Sequence, residues 1–339
     1  LMDQIATALE ATFAAGPIVD GKATIGGDGA RVVRCPHDRR ERIGTVRKAE
    51  PSHIEAALAS AARSAHAWDR LGAEKRGAIL EHAADLVERD NPRLMGVLIR
   101  EAGKTVEAAH AEVRETVDYL RYYAAEARRL LAAPRSLASP TGETNTLEFR
   151  ARGPVACISP WNFPLAIFTG QIAAALAAGN PVLAKPAAET PVTAFLAATL
   201  LAEAGVPKGV LHLLPGGGEV GAALVRDRRI AAVSFTGSIE TAWAIHKTLA
   251  DRRGAIVPFV AETGGLNAMI ADSSALPEQV VRDAVRSAFD SAGQRCSAAR
   301  VLFVQEEIAD RVIAMLAGAI HALDVGDPID PAIDIGPLI

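Results

Sequence analysis

Cysteine is nearly absent from this chain: Cys35, Cys157 and Cys296 are the only three, and none forms a CxxC pair. An odd, scattered set builds no disulfide framework, so the sequence points to a reducing, cytoplasmic setting. No His/Cys cluster has metal-ligand spacing and HExxH is missing, so no metal role is expected. Long apolar runs are missing too. Ile172 to Ala178 is among the longest, and it is too short and too Ala-rich to span a bilayer. No charged-then-apolar leader opens the chain. Nor does one charge dominate: 36 Lys and Arg against 40 Asp and Glu leave a net charge of -4, with the signs interspersed. That excludes the basic face of a nucleic-acid binder. What is present is ample: 339 residues, half of them hydrophobic, enough for a large core and a prior of two domains.

The first 15 or so residues read as a helix, and residues 17 to 48 as short strands and turns punctuated by Gly26-Gly27-Asp28-Gly29 and Cys35-Pro36. Ser52 and Glu55 spell a capping box that opens a helix. Ala-rich helical periodicity continues to about Leu131, with breaks at Asn91-Pro92 and near Gly103. Thr146 to Ala151 alternates polar and apolar, as a half-exposed strand does. From Pro154 the rhythm becomes α/β. Val155–Ile158, Pro181–Ala184, Val210–Leu214 and Ala231–Phe235 are apolar runs, separated by helical stretches near Phe168–Ala178 and up to Ala204. Strands alternating with helices imply a parallel sheet with ligands at its carboxyl edge. A new unit begins near Glu262.

The chemistry-bearing residues fall at such strand ends. Cys296 stands among small and polar neighbours in Gly293-Gln294-Arg295-Cys296-Ser297-Ala298, which suits a nucleophile, although a lone cysteine is more often a small buried hydrophobe. Cys157 in a buried strand and Cys35 before a proline keep that plainer reading. Glu262 ends an apolar run ahead of Gly264-Gly265, where partial burial would raise its pKa towards that of a general base; a salt-bridged or capping Glu is the alternative. Asn162 lies in Ser159-Pro160-Trp161-Asn162-Phe163-Pro164, where two prolines can aim its amide at an oxyanion, unless it merely closes a turn. Lys185 follows a strand and can meet ribose hydroxyls or a phosphate, or be an ordinary solvated lysine. Phe235-Thr236-Gly237-Ser238 offers amides and hydroxyls to a pyrophosphate, or a plain helix cap. Gly216, Gly218 and Gly221 spell GxGxxG, but in a loop so rich in glycine the match carries little. No acidic residue stands in the usual ribose-binding place: Asp227 comes too early and Glu240 lies beyond the next strand.

Together and in this order, Pro160-Trp161-Asn162-Phe163-Pro164, Lys185-Pro186, Phe235-Thr236-Gly237-Ser238, Glu262-x-Gly264-Gly265 and Gly293-Gln294-x-Cys296 resemble the aldehyde dehydrogenase superfamily, from about residue 17 to the end. Gly142-Glu143-Thr144-Asn145, Ala261 to Ile270 and Phe289 to Ala298 are most similar to the L-glutamate γ-semialdehyde (pyrroline-5-carboxylate) dehydrogenase modules of bifunctional proline-utilisation proteins. The resemblance implies an α/β fold: an NAD(P)-binding domain over residues 17–261, with a small β oligomerisation flap near 140–153, and a catalytic domain from 262 to 339, truncated at its C-terminal side. Residues 1–16 would be an upstream helix or linker.

The resemblance also implies roles: Cys296 as nucleophile, Asn162 and the Cys296 amide for the oxyanion, and Glu262 as the base for water. Cofactor contacts fall to Ile158, Pro160, Trp161, Lys185, Gly218, Phe235, Gly237, Ser238 and Gly264, and substrate contacts to Ser297 and Asn162. NAD is the expected cofactor. Ala188 replaces the family's ribose-binding Glu, with Glu189 one step on, so NADP stays open. The implied partners are a small aldehyde, a proline-oxidising flavin domain upstream and further copies of the same chain. Another semialdehyde, or a non-catalytic binding role, are the alternative functions. The chain starts at Leu1 and ends on Ile339 before the family's second cofactor-contacting Glu, so it reads as a piece of a longer protein, expected to be inactive or badly crippled by itself.

Overall fold

In the computed structural model, which describes residues 2–339, the chain opens with α1 (Met2–Leu9) and β1 (Phe13–Ala15). The expected first helix therefore ends early, because Phe13–Ala15 instead pair parallel with Gly44–Val46. Three further short strands precede that partner: β2 (Ile18–Val19), β3 (Lys22–Ala23) and β4 (Arg31–Arg34); the partner itself is β5 (Arg42–Val46). Helices α2 (Pro51–Arg70), α3 (Ala73–Arg89), α4 (Asn91–Ala102) and α5 (Val106–Leu131) follow. The breaks fall where expected, at Asn91-Pro92 and at Gly103, whose left-handed φ of 64° ends α4. The capping box of α2 does not involve Ser52 and Glu55. Glu50 and His53 form it, ahead of Pro51 at the first helical position, while Glu55 pairs with Arg229.

A hairpin of β6 (Arg135–Leu137) and β7 (Asn145–Leu147) is exposed throughout. The strand expected over 146–151 is thus shorter and unburied. Then comes the α/β run: β8 (Val155–Ile158), α6 (Ala166–Ala177), β9 (Val182–Lys185), α7 (Pro191–Glu203), β10 (Leu211–Leu213), α8 (Gly218–Arg226), β11 (Ala232–Gly237), α9 (Ile239–Ala250) and β12 (Phe259–Thr263). The chain closes with β13 (Asn267–Ala271), α10 (Pro277–Phe289), a 3₁₀ turn at Asp290–Gly293, β14 (Ala299–Val304) and α11 (Glu306–His321). β13 and β14 pair parallel.

The large sheet has the order β12-β11-β8-β9-β10-β2-β3, parallel from β12 to β10 and closed by the antiparallel β2 and β3. Alternation along its central strands divides two cores. Val155, Cys157, Val182 and Ala184 pack with α6, α7 and the helices behind them, whereas Ala156, Ile158 and Leu183 pack with α2, α8 and α9. Burial on both faces explains why these strands are continuous apolar runs. The strand order reverses between β8 and β11, and ligands of such sheets bind at the carboxyl end of that switch point. The pairs Thr236↔Glu262 and Gly237↔Thr263 carry the large sheet one residue past Glu262, where a second domain is expected to begin. Among the described residues, no helix is long and apolar enough to cross a membrane.

Candidate active site

The carboxyl end of β8 delivers Ser159 to Pro164, and that of β11 delivers Gly237 and Ser238, on either side of the switch point. Gln171 of α6 bridges them, its amide donating to the Thr236 hydroxyl at 2.9 Å and to the Ile158 carbonyl at 3.4 Å. Ser238 caps α9 by accepting from the Thr241 amide at 3.2 Å. Gly237 has to be small, because a Cβ there would approach the Phe235 ring within 2.6 Å. Gly217 caps α8 and Gly218 is its first residue, so two helix N-termini face this edge.

Lys185, the last residue of β9, is not a solvated surface lysine. It is only 8% exposed. Its stem lies on the same side as Ile158, and both would be 3.6 Å from a Cβ at Gly221. Burial pulls the Lys185 pKa down, against the charges of Glu189 and Glu219. A buried ammonium between two helix N-termini fits the phosphates and ribose of a dinucleotide. Glu189 is exposed, and the Ala188 carbonyl accepts from Arg31.

The loop that carries Cys296 is anchored by two asparagines and shaped by a left-handed turn. Asn162 Nδ2 donates to the Gln294 carbonyl at 2.9 Å. Asn267, at the start of β13, donates to the carbonyls of Cys296 at 2.6 Å and Ala298 at 3.0 Å. Ser291, Ala292 and Gly293 all have left-handed φ, between 53° and 68°, which turns the chain sharply out of α10 before Cys296. Gly293 leaves no room for a side chain, since a Cβ would lie 2.9 Å from the Ala288 carbonyl. Cys296 itself is exposed, unlike Cys35 and Cys157. Burial holds the Cys157 thiol up at about 12.

Beside the loop, Phe163 lies between two cations, with Lys104 Nζ 3.8 Å and the Arg295 guanidinium 5.7 Å from its ring centre. A cleft of about 720 Å³ opens next to Phe163 and Arg295, walled also by Glu112, Glu115, Arg282 and Asp290. Burial raises the Glu115 pKa, partly offset by a hydrogen bond with Tyr119. Tyr119 is pushed up to about 12 by burial and by the charge of Glu115, and it also feels Cys296 nearby.

Asn162 and Cys296 are therefore brought together, with Lys185, Ser238 and Gly218 along the neighbouring sheet edge. Glu262 is different from the expectation. It is exposed, because β12 is the outermost strand and nothing in the described chain covers its far side. Ser297 and Gly264 are exposed as well. Sequence reading missed Asn267, Lys104 and Glu112; the asparagine stands in a quoted motif, but its long-range bond leaves no local signal.

The model of the aldehyde dehydrogenase family matches residues 26–339. The bifunctional protein PutA of Escherichia coli is 53% identical over 308 residues, covering 90% of this chain and 22% of that protein. The 1-pyrroline-5-carboxylate dehydrogenase of Geobacillus thermodenitrificans is 38% identical over 308 residues, 90% of this chain and 60% of that one. The chain thus spans about a fifth of the length of the first relative and three-fifths of the second. Among solved structures, 1-pyrroline-5-carboxylate dehydrogenase from Thermus thermophilus superposes with a TM-score of 0.94 at 33% identity, over 99% of this chain and 66% of that chain. These relatives share the α/β architecture read from the sequence. By its motifs, fold and family match, the chain belongs to the aldehyde dehydrogenase family.

Proposed function

We propose that this chain carries the cofactor-binding and nucleophilic part of an NAD(P)-dependent oxidation of L-glutamate γ-semialdehyde to glutamate, through a thioester on Cys296. One observation bears most of the weight: the Asn162 amide reaches the loop of Cys296, with Nδ2 2.9 Å from the Gln294 carbonyl. A nucleophile and an amide donor held so close suit addition to a carbonyl. The Cys296 thiol loses its proton to water and its sulfur bonds to the aldehyde carbon; the carbonyl electron pair becomes an oxyanion that Asn162 Nδ2 and the Cys296 N–H receive, and its collapse expels the carbon-bound hydrogen as hydride to leave the thioester. When bound, NAD(P)⁺ supplies the hydride acceptor, held by Lys185, by the N-termini of α8 and α9, and by Ile158, Pro160, Trp161, Phe235 and Gly264. Glu262 then takes a proton from water, whose oxygen attacks the thioester carbon and returns sulfur as the leaving group.

Support for the substrate comes from the relatives, four of which bear the name 1-pyrroline-5-carboxylate dehydrogenase, and from the mixed charge of the cleft beside Arg295, which suits an amino acid carrying both signs. NAD is favoured by Glu189, the carboxylate whose charge already acts on Lys185; it would accept from ribose hydroxyls, and a 2′-phosphate would meet its repulsion. A solved Thermus relative is described with NAD bound. As partners we propose a proline-oxidising flavin unit in the same polypeptide and further copies of the chain. The second is supported by the hairpin of β6 and β7, which exposes Leu137 and Leu147 with the nearby Phe149.

The test is turnover of the purified intact protein that carries this chain with glutamate γ-semialdehyde, followed by nicotinamide absorbance. Asn162→Ala is expected to lower kcat by roughly 10²- to 10³-fold, and Cys296→Ala to abolish both turnover and a substrate adduct in intact-mass spectra. Preference for another semialdehyde would overturn the substrate; an adduct that survives Cys296→Ala would overturn the mechanism.

A further inference from the structure

Two helices follow the strands that carry the site, and neither caps itself. α6 begins at Leu165 and α7 at Thr190 with no side-chain cap of their own. Both are capped from a distance by buried carboxylates. Glu101, 1% exposed at the end of α4, accepts from the Val192 amide at 2.8 Å, the Thr193 amide at 2.7 Å and the Thr193 hydroxyl at 2.6 Å. Glu112, equally buried on α5, accepts from the Leu165 amide at 2.8 Å and the Ala166 amide at 3.2 Å. Negative charge at a helix N-terminus is favourable, and buried it is more so. The segments these carboxylates secure are the two functional loops: Pro186–Thr190, directly after Lys185, and Ser159–Pro164, which carries Asn162.

Lys104 joins the second cap to the nucleophile loop. It is 3% exposed, with Nζ 3.2 Å from the Glu112 carboxylate, 3.8 Å from the centre of the Phe163 ring and 3.5 Å from the Ser291 hydroxyl. Phe163 is the neighbour of Asn162, and Ser291 opens the left-handed turn before Cys296. Only two residues, Ala102 and Gly103, separate Glu101 from Lys104, and Gly103 supplies the left-handed bend that sends their side chains to different loops.

We propose that the turn Glu101–Thr105 is a two-sided clamp, in which Glu101 positions the cofactor loop after Lys185 while Lys104, with Glu112, positions the Asn162 and Cys296 loops against each other. Neither side chain touches a reacting atom; both are positioning residues. The kinetic half of the test rests on the dehydrogenase reading above, and the structural half does not.

Hydrogen exchange on the purified protein provides the structural half. Lys104→Met is expected to speed exchange at Leu165, Ala166, Gln294 and Ala298 and to leave Val192 and Thr193 unchanged. Glu101→Gln is expected to do the reverse. In kinetics, Lys104→Met lowers kcat by roughly 10- to 100-fold with little change in the KM for NAD, the size set by loss of alignment. Glu101→Gln raises that KM by about 10-fold with a smaller change in kcat, as expected of lost binding alone. Should the lone Lys104→Met fail to fold, the pair Lys104→Met with Glu112→Gln leaves no unpaired buried charge and is read the same way. Uniform acceleration of exchange in every variant would reduce the turn to ordinary core structure and overturn the clamp. Wild-type protein without turnover would instead overturn the dehydrogenase reading, and the exchange pattern would still decide the clamp.

Discussion

The buried Glu101 makes a prediction about stability that can be worked through. Its carboxyl is fully enclosed, and burial raises its pKa from 4.5 to about 7 despite the stabilising bonds from Thr193 and Val192. Between those two values the folded protein keeps a proton on Glu101 that the unfolded chain has released. The native state therefore binds more protons, and each rise in pH favours unfolding. Stability falls between about pH 4.5 and about pH 7 and is level beyond, as far as this group is concerned. At about 1.4 kcal/mol per pH unit, the loss is about 3 kcal/mol.

Glu101→Gln removes the titration. The replacement keeps one oxygen for the Val192 amide but turns an NH₂ towards the Thr193 amide, a donor facing a donor, for a constant cost of about 1–3 kcal/mol. The variant is therefore the less stable protein at low pH, and its deficit shrinks by about 3 kcal/mol, to near zero or a reversal, as the pH rises through about 7. Urea unfolding of both proteins from about pH 4 to about pH 8, at matched m-values, measures this directly. A difference independent of pH would refute the reasoning by placing the Glu101 pKa near that of the unfolded chain. A deficit that grows with pH would show that the three donors outweigh burial.

Two further expectations follow from geometry alone. Iodoacetamide is expected to label Cys296 well before Cys157 or Cys35, since the first is exposed and the others are buried, with Cys157 held at about 12; mass spectrometry reporting equal labelling would contradict this. Among glycines, Gly44→Ala would drive a Cβ to 2.2 Å from the Phe13 carbonyl in the pairing of β1 with β5, whereas Gly318→Ala within α11 meets nothing within 4 Å. Unfolding free energies from urea titration are expected to fall for Gly44→Ala by about 1–3 kcal/mol and to rise for Gly318→Ala by about 0.5–1 kcal/mol; equal effects would mean that backbone clearance does not decide the outcome.

The features legible in the sequence were those whose cause is local. Val155–Ile158 and Val182–Lys185 announce themselves because both faces of a central parallel strand are buried, so every position is apolar up to Lys185. Gly103 and Asn91-Pro92 break helices through their own backbone chemistry. Long-range partners leave no such mark. The cap of α7 comes from Glu101 on another helix, 91 residues away from Val192, and the hold on the Cys296 carbonyl comes from Asn267, 29 residues away. Competition also misleads: Ser52–Glu55 and Glu50–His53 are equally spaced, and Pro51 decides for the second by fixing the first helical position. The partial burial expected of Glu262 required a neighbour beyond β12, which the apolar run before it could not reveal.

How the two halves of the site are joined bears on how the proposed reaction could proceed. Glu262 is held in the register of the large sheet by β12 and β11, but Cys296 lies in a loop between α10 and β14 that no ladder pairs with that sheet. Among the described residues, side-chain bonds span the gap, chiefly Asn162 to the Gln294 carbonyl. A neutral bond of this kind is worth about 1 kcal/mol net, and a bond to an ionised acceptor is about twice as strong. In the proposed reaction, an oxyanion on the substrate bonded to Cys296 would therefore draw the Asn162 amide away from Gln294 at little cost. The bond that aligns the loop in the resting protein would then be the one surrendered to stabilise charge, so that under the proposed mechanism the donor would serve the transition state more than the ground state. Alignment during that exchange must then come from elsewhere, and Asn267 on the Cys296 carbonyl and Lys104 on Ser291 are placed to provide it.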